Sequence, residues 1–211
     1  MRLPYAPKTP PPGTSPTTSE IYARIAARRH PRPLIPLDLS LLHSPPVADG
    51  WNSFLGAIRT QTVIDQGLLE LAVCRVAVLT EAVYEWNAHA PLALKGGIQP
   101  AELQAVRTLP STAGEEEEVG AALSGSALSA RQQAVVKYAD EMTLRVKVRD
   151  GTFAALKEAG KGGFSDREVV ELTTGIAGYN CVSRVLVALD IGENNAREMK
   201  SVEELVEELK N

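Results

Sequence analysis

The segment that most limits what this 211-residue chain can fold into begins at Asp65. Behind that residue, Leu68, Leu69, Ala72, Val73, Val76 and Leu79 recur at helical spacing and cover most of a helix circumference. Such a helix has to be deeply buried, and Asp65 is placed to cap it. The rest of the chain supplies helical partners. Alanine, leucine and glutamate recur at helical spacing, β-branched residues rarely alternate with polar ones, and aromatics make up only 5%. The pattern predicts an all-α fold. A chain of this length that is 44% hydrophobic can bury a core without covalent staples.

Residues 1–19 are rich in proline and threonine, with Pro10, Pro11 and Pro12 followed by Gly13, and read as a flexible arm ahead of a helical domain over 20–211. A short helix is expected over Thr18–Arg29. Pro31, Pro33 and Pro36 then force an extended crossing before a helical turn over Leu37–Leu42. Helices follow over Val47–Thr60, with Trp51, Leu55 and Ile58 on one side, and over Glu81–Lys95, which Pro91 should kink or restart and Gly96-Gly97 should end. A short helix runs from Pro100 to Val106. Residues 109–129, with the acidic run Glu115–Glu118, read as a surface loop insert holding a short acidic helix. Helices resume over Ala130–Val146 and Thr152–Ala159, the latter stopping at Gly160. Ser165 and Glu168 form a capping box for a long buried helix to Leu189, where Gly175 and Gly178 imply close helix–helix approach. A charged helix over Ala196–Lys210 ends the chain.

Charge and cysteine usage narrow the partners. The net charge is −4 and the basic residues are scattered, so no stripe for nucleic acid is present. The most apolar long segment, Val169–Ile191, is interrupted by Glu171, Asn180, Arg184 and Asp190, short of the roughly 18 unbroken apolar residues expected of a membrane span. The N-terminus lacks the apolar core of a secretory signal, and Cys74 and Cys181 read as reduced core residues; a cytoplasmic location follows as the expectation. His30, His43 and His89 lie too far apart for a metal-ligand spacing, so no bound zinc is expected.

One constellation carries chemistry. On a helix, Ala82, Glu85 and His89 share a face, and Glu85 and His89 form an i,i+4 pair. Glu70 reaches the same place if the two helices pack antiparallel through a short connection near Thr80. Two carboxylates and an imidazole among apolar neighbours suit proton transfer, although an i,i+4 Glu–His pair is also an ordinary feature of exposed helix faces. Arg75 and Arg184 are candidates to hold a substrate carboxylate, or else pair with Glu70, Glu171 or Asp190. His43 is a candidate for the pocket rim. His30, amid Arg28, Arg29 and Arg32, reads as solvated, and Trp51 and Trp86 as core or interface residues.

The motifs Glu-Leu-Ala-Val-x-Arg-Val-Ala from Glu70, Tyr-Glu-Trp-x-x-His from Tyr84, and Gly-Gly-Ile from Gly96 resemble the carboxymuconolactone decarboxylase-like and alkyl hydroperoxidase D-like (AhpD-like) superfamily. The likeness is close over residues 37–106 and weaker from Gly178-Tyr179-Asn180 through Arg184 and Ala188. It implies an AhpD-like helical bundle and a homo-oligomer, trimer or hexamer. In the peroxidase branch a Cys-x-x-Cys pair occupies the positions of Ala82 and Glu85 here, so both thiols are missing. The decarboxylase branch lacks them too and acts on cyclic organic acids without metal or organic cofactor. By that resemblance Glu70, Glu85 and His89 are catalytic, with Tyr84, Trp86, Arg75 and His43 as substrate-binding candidates. The expected function is a cofactor-independent lyase or isomerase acting on a small cyclic or unsaturated carboxylic or carbonyl metabolite. Two rivals stay open: a thiol-dependent, peroxidase-type antioxidant protein using Cys74 or Cys181, and a non-catalytic oligomeric metabolite-binding protein.

Overall fold

A computed structural model describes residues 1–111, 116–159 and 163–210, with the backbone alone for 116–119. Among these residues there are eleven helices and no strand. The helix over Gln66–Leu79 (the fourth, α4) is the axis of the bundle. Its residues from Gly67 to Ala77 are all buried, as its all-round apolar pattern requires. The Asp65 carboxylate caps it, accepting from the Leu68 amide at 2.9 Å.

Three helices precede it: α1 (Pro16–Arg29), α2 (Pro36–Leu41) and α3 (Pro45–Thr60). Prolines at the first turn of each fit there because the missing N–H would be unpaired anyway. Ile21, Tyr22 and Ile25 of α1 bury against Leu39, Leu42 and Ala48, a small satellite core beside the main one. The arm ahead of α1 is docked onto Leu39 of this layer and onto Leu189 and Asp190 rather than free. The Arg2 amide donates to Leu189 O, the Ala6 amide to Leu39 O, and the terminal ammonium lies 3.1 Å from Asp190. Backbone pairing and the buried Ala6 hold it there, which the proline-rich composition could not reveal.

After α4 the chain turns at Glu81, whose φ is 54°, into α5 (Val83–Lys95). Pro91 sits inside α5 without ending it, contrary to the expected restart. The two helices form an antiparallel hairpin whose open end closes on glycines: a Cβ on Gly67 would lie 2.5 Å from Gly96 O. No other residue permits that approach.

Then follow α6 (Pro100–Thr108), α7 (Glu116–Ser124), α8 (Ala130–Leu144) and α9 (Asp150–Glu158). The expected insert at 109–129 holds α7 and buries Leu123 and Leu128 in the main core, while Glu115, the side chains of Glu116–Glu118 and Gly160 lie outside the described residues. The long helix α10 (Asp166–Leu189) starts at the expected box: Ser165 Oγ accepts from the Glu168 amide, and the Ser165 amide donates to Glu168. It is the one described helix long and apolar enough to cross a membrane, but Leu172, Ile176, Tyr179, Val182 and Leu186 are spent on the protein core. A Cβ on Gly175 would lie 2.6 Å from Leu69 Cδ1 and one on Gly178 3.1 Å from Phe54 Cε1, so α10 presses on α4 and α3 at those two positions.

The last helix, α11 (Val202–Lys210), begins six residues later than its sequence pattern indicates. Trp86 Nε1 donates to Lys200 O at 2.9 Å and the Lys200 amide to Asn87 Oδ1 at 3.0 Å. These bonds hold the chain extended until Ser201 caps the helix with Glu204.

Candidate active site

The α4–α5 hairpin brings Glu70, one turn past the Gly67 contact, against His89, two turns before Gly96. Glu70 Oε2 lies 2.6 Å from His89 Nδ1, so a neutral imidazole donates Nδ1–H to the carboxylate and leaves Nε2 as its basic nitrogen. The other oxygen, Oε1, receives Arg59 NH1 from the last turn of α3 at 3.1 Å. Arg59 NH1 also donates to the Tyr179 hydroxyl of α10 at 2.8 Å, and the Tyr179 ring meets His89 edge-on, centroids 4.7 Å apart. Four helices thus fix one imidazole.

His89 forms part of the wall of a cavity of about 210 Å³. Leu55, Ala88, Leu92, Val182 and Leu186 give the cavity its apolar surface, and Trp51 and Tyr84 line it as well. Glu70 stands behind His89, outside the lining. Arg59, Arg28, Arg29 and Arg32 face the cavity from α3, α1 and the turn after α1.

The two carboxyl groups are driven in opposite directions. Burial pushes Glu70 up, but the hydrogen bond and charge of His89 and the nearby Arg59 outweigh it, so its pKa falls below the usual carboxylate value. Glu85 also lines the cavity, is only 1% exposed, and among the described residues has no hydrogen-bond partner at either oxygen. Its burial, reinforced by the Glu70 charge and opposed by Arg184, pushes its pKa well above the carboxylate range and so favours the protonated form. Tyr179 is pushed up to about 12 by burial, against the pull of Arg59.

Of the two carboxylates that the sequence offers to His89, Glu85 on its own helix face and Glu70 across the hairpin, the one bonded to the ring is Glu70. An i,i+4 relation brings two residues to one face, but the hairpin places a carboxylate across from the ring at shorter range. The sequence-based substrate-binding candidates divide. Tyr84 lines the cavity, with its hydroxyl pushed up to about 12 by burial. Trp86 does not: it is fully buried on the opposite face of α5, bonded to Lys200 O and stacked by Arg107 at 5.8 Å. Arg75 is fully buried away from the cavity, where Nε and NH2 hold Asp140 at 2.6 and 2.8 Å and the remaining donors take the carbonyls of Val106, Leu109 and Pro110. His43 is exposed and pins the arm through Pro4 O at 2.6 Å. Arg184 bonds Asn180 on its own helix.

The sequence-based site lacks Arg59 and Tyr179, which fix the imidazole, and Arg28, Arg29 and Arg32, which line the cavity from elements that local sequence reads as solvated. Neither thiol lines the cavity. Cys74 is buried in α4, its pKa raised well above normal by burial and by the Glu70 and Glu85 charges; Cys181 is exposed on α10.

An all-helical bundle of this kind has counterparts among known proteins. Residues 45–125 match the profile of the Carboxymuconolactone decarboxylase family. Among solved structures, the chain is similar to one described as an alkylhydroperoxidase AhpD core, an uncharacterized peroxidase-related protein from Ralstonia eutropha JMP134, with 17% identity, 90% of each chain covered and a TM-score of 0.68. It is also similar to an uncharacterized peroxidase-related protein from Silicibacter sp. TM1040, with 14% identity, 92% of this chain and 95% of that one covered, and a TM-score of 0.64. No match is found among curated proteins. Residues 45–125 thus resemble the Carboxymuconolactone decarboxylase family, and the chain shares its fold with these AhpD-related structures.

Proposed function

We propose that this protein is a cofactor-independent acid–base enzyme, a lyase or isomerase acting on a small cyclic or unsaturated carboxylic or carbonyl compound. The observation that carries the reading is the Glu70–His89 bond at the wall of a ring-sized cavity, with Nε2 left for a substrate. Two carboxyl groups whose surroundings drive their pKa values apart divide the roles: ionised Glu70 orients and balances His89, and neutral Glu85 is an acid one turn away.

Two reactions follow from such a pair. In an isomerisation, His89 Nε2 takes a proton next to a carbonyl, the electron pair moves into the enolate, and the imidazolium returns the proton at another carbon. In a decarboxylation, the carbon–carbon bond breaks, its electron pair passes into the conjugated carbonyl, carbon dioxide leaves, and a protonated His89 or Glu85 delivers a proton to carbon. Neither scheme uses a thiol. That agrees with the presence of Ala82 and Glu85 at the two positions where the redox branch carries cysteine.

The same reading takes the protein as a cytoplasmic homo-oligomer. Val47 and Phe54 on α3, Val63 in the following turn and Val170 on α10 are large apolar side chains left exposed on adjoining elements, as an interface requires.

The test is metabolite turnover by the purified protein, wild type beside His89→Ala. General acid–base groups contribute about a hundredfold or more, so His89→Ala should lose at least that factor on any compound the wild type converts. A substrate turned over at near-full rate by His89→Ala overturns the reading.

A further inference from the structure

We infer that Arg28 is the anion-binding residue of this cavity, the side chain that grips the carboxylate of a molecule bound there. The inference takes the cavity to be the substrate site, as the acid–base reading does, and adds what it selects.

Charge balance around the cavity is the first reason. Arg29 is held bidentately by Asp38, both bonds 2.8 Å, and Arg59 is answered by Glu70. Arg28 has no carboxylate partner among the described residues; its Nε donates to the neutral side chain of Asn52. Its stem lies over Gly56 of α3, so the guanidinium is half-buried at the cavity wall rather than extended into solvent. Arg29 and Arg59 crowd it with like charge. Burial and then these two neighbours pull its pKa below the ordinary arginine value, with Asp38 opposing only in part. A partly desolvated cation without a counter-charge is costly, and an anion entering the cavity relieves that cost.

Geometry is the second. With Nε committed to Asn52, the two terminal nitrogens remain to grip a carboxylate, and a guanidinium does this with a planar fork. Exposed Arg32 adds a further positive charge at the rim. The rest of the wall is apolar or aromatic, which suits a ring. The third reason is origin. α1 and its following turn lie outside residues 45–125, the part that matches the family profile. Glu70 and His89 lie inside the matched segment and Arg28 and Arg32 outside it, so chemistry and selection are supplied by different parts of the chain.

The test is equilibrium binding of three carboxylates, benzoate, 2-furoate and cyclohex-1-ene-1-carboxylate, each beside its neutral amide. Trp51 in the cavity wall serves as the fluorescent reporter, with calorimetry as a check. At least one acid should bind more tightly than its amide. Arg28→Met should weaken that acid by about tenfold to a hundredfold, the range of a charge-assisted pair, and leave the amide within about twofold. Arg28→Lys, which keeps the charge but not the fork, should recover part of the loss and guards against a folding artefact. His89→Ala should keep the preference for acid over amide. No preference for any acid, or a preference that survives in Arg28→Met, overturns the inference. If the preference survives in Arg28→Met and vanishes in His89→Ala, the imidazole holds the anion; this inference then fails while the acid–base reading stands. If binding depends on Arg28 but a compound that the wild type converts is turned over at near-full rate by His89→Ala, the acid–base reading fails and this one stands.

Discussion

Glu70 and His89 sit on consecutive antiparallel helices with carboxylate oxygen and ring nitrogen 2.6 Å apart, and the close contact of Gly67 with Gly96 sets that register. The pair is therefore a product of the hairpin, not of one helix face. Glu70→Gln keeps the shape but removes the charge and the acceptor pair that orient the ring. Turnover should fall by about a hundredfold or more, and adding His89→Ala should cost far less than the product of the two single losses, because the two groups act as one unit. Steady-state kinetics of the single and double variants check this; fully multiplicative losses would separate the two residues.

Arg75 offers the opposite case, a charged residue whose role is structural. It and Asp140 are both fully buried and bidentate, and the guanidinium also satisfies three carbonyls around the end of α6. Removing one partner strands the other, so Arg75→Met should lower stability by about 3–5 kcal/mol, and a double change with Asp140→Leu should recover part of it. Urea denaturation measures both. A loss below about 1 kcal/mol for Arg75→Met, the level of a surface pair, would contradict the structural role.

What the sequence discloses and what it conceals follow from the range of the forces involved. The long helices are legible because an apolar period is local, and the start of α10 because Ser165 and Glu168 are three residues apart. The start of α11 is not, since it depends on bonds from Trp86 and Asn87 to Lys200. Glu70, Glu85 and His89 are legible through a hairpin with a short turn. Arg59 and Tyr179 are 120 residues apart and are joined only by the packing of α3 on α10. Arg28 and Arg32 look solvated in sequence because nothing local says that α1 lies across the cavity.

The cysteines give a third prediction. Cys74 is buried with a raised pKa and Cys181 is exposed, so a thiol reagent should modify one cysteine in the native protein and two after unfolding. Changing both to alanine should leave turnover intact and remove no peroxide-consuming activity. Rapid peroxide consumption lost in the folded double variant would restore the thiol mechanism.

Assembly can be tested at the exposed apolar side chains. Phe54 is 47% exposed on α3, beside Val47 one heptad earlier on the same face. Light scattering of the wild type should give a mass above the 22.6 kDa of one chain, and Phe54→Glu should shift it toward that value without loss of helical signal. A wild-type monomer at micromolar concentration contradicts the oligomer.

Glu85 carries the last prediction, because its raised pKa acts on stability and activity with known sign. In the unfolded chain this carboxyl ionises near its ordinary value of about 4.5, whereas in the folded protein it holds its proton to higher pH. The folded state then binds more protons than the unfolded one, so stability falls as pH rises from about 4.5 through the folded pKa and levels off beyond it. Glu70 has the opposite sign: its contribution is present above about 4.5 and is lost as pH falls through its depressed folded pKa. Glu85→Gln cannot ionise, so its melting temperature should decline less than that of the wild type as pH rises from about 4.5 through the folded pKa of Glu85, while the acid limb set by Glu70 is unchanged. If Glu85 also donates a proton in the reaction, turnover of the wild type should fall at high pH as the group ionises, and Glu85→Gln should be about a hundredfold slower at its optimum. Parallel melting curves of the two proteins from pH 4 to 10 would show that Glu85 titrates normally, and its assignment as the neutral acid of the site would then fail.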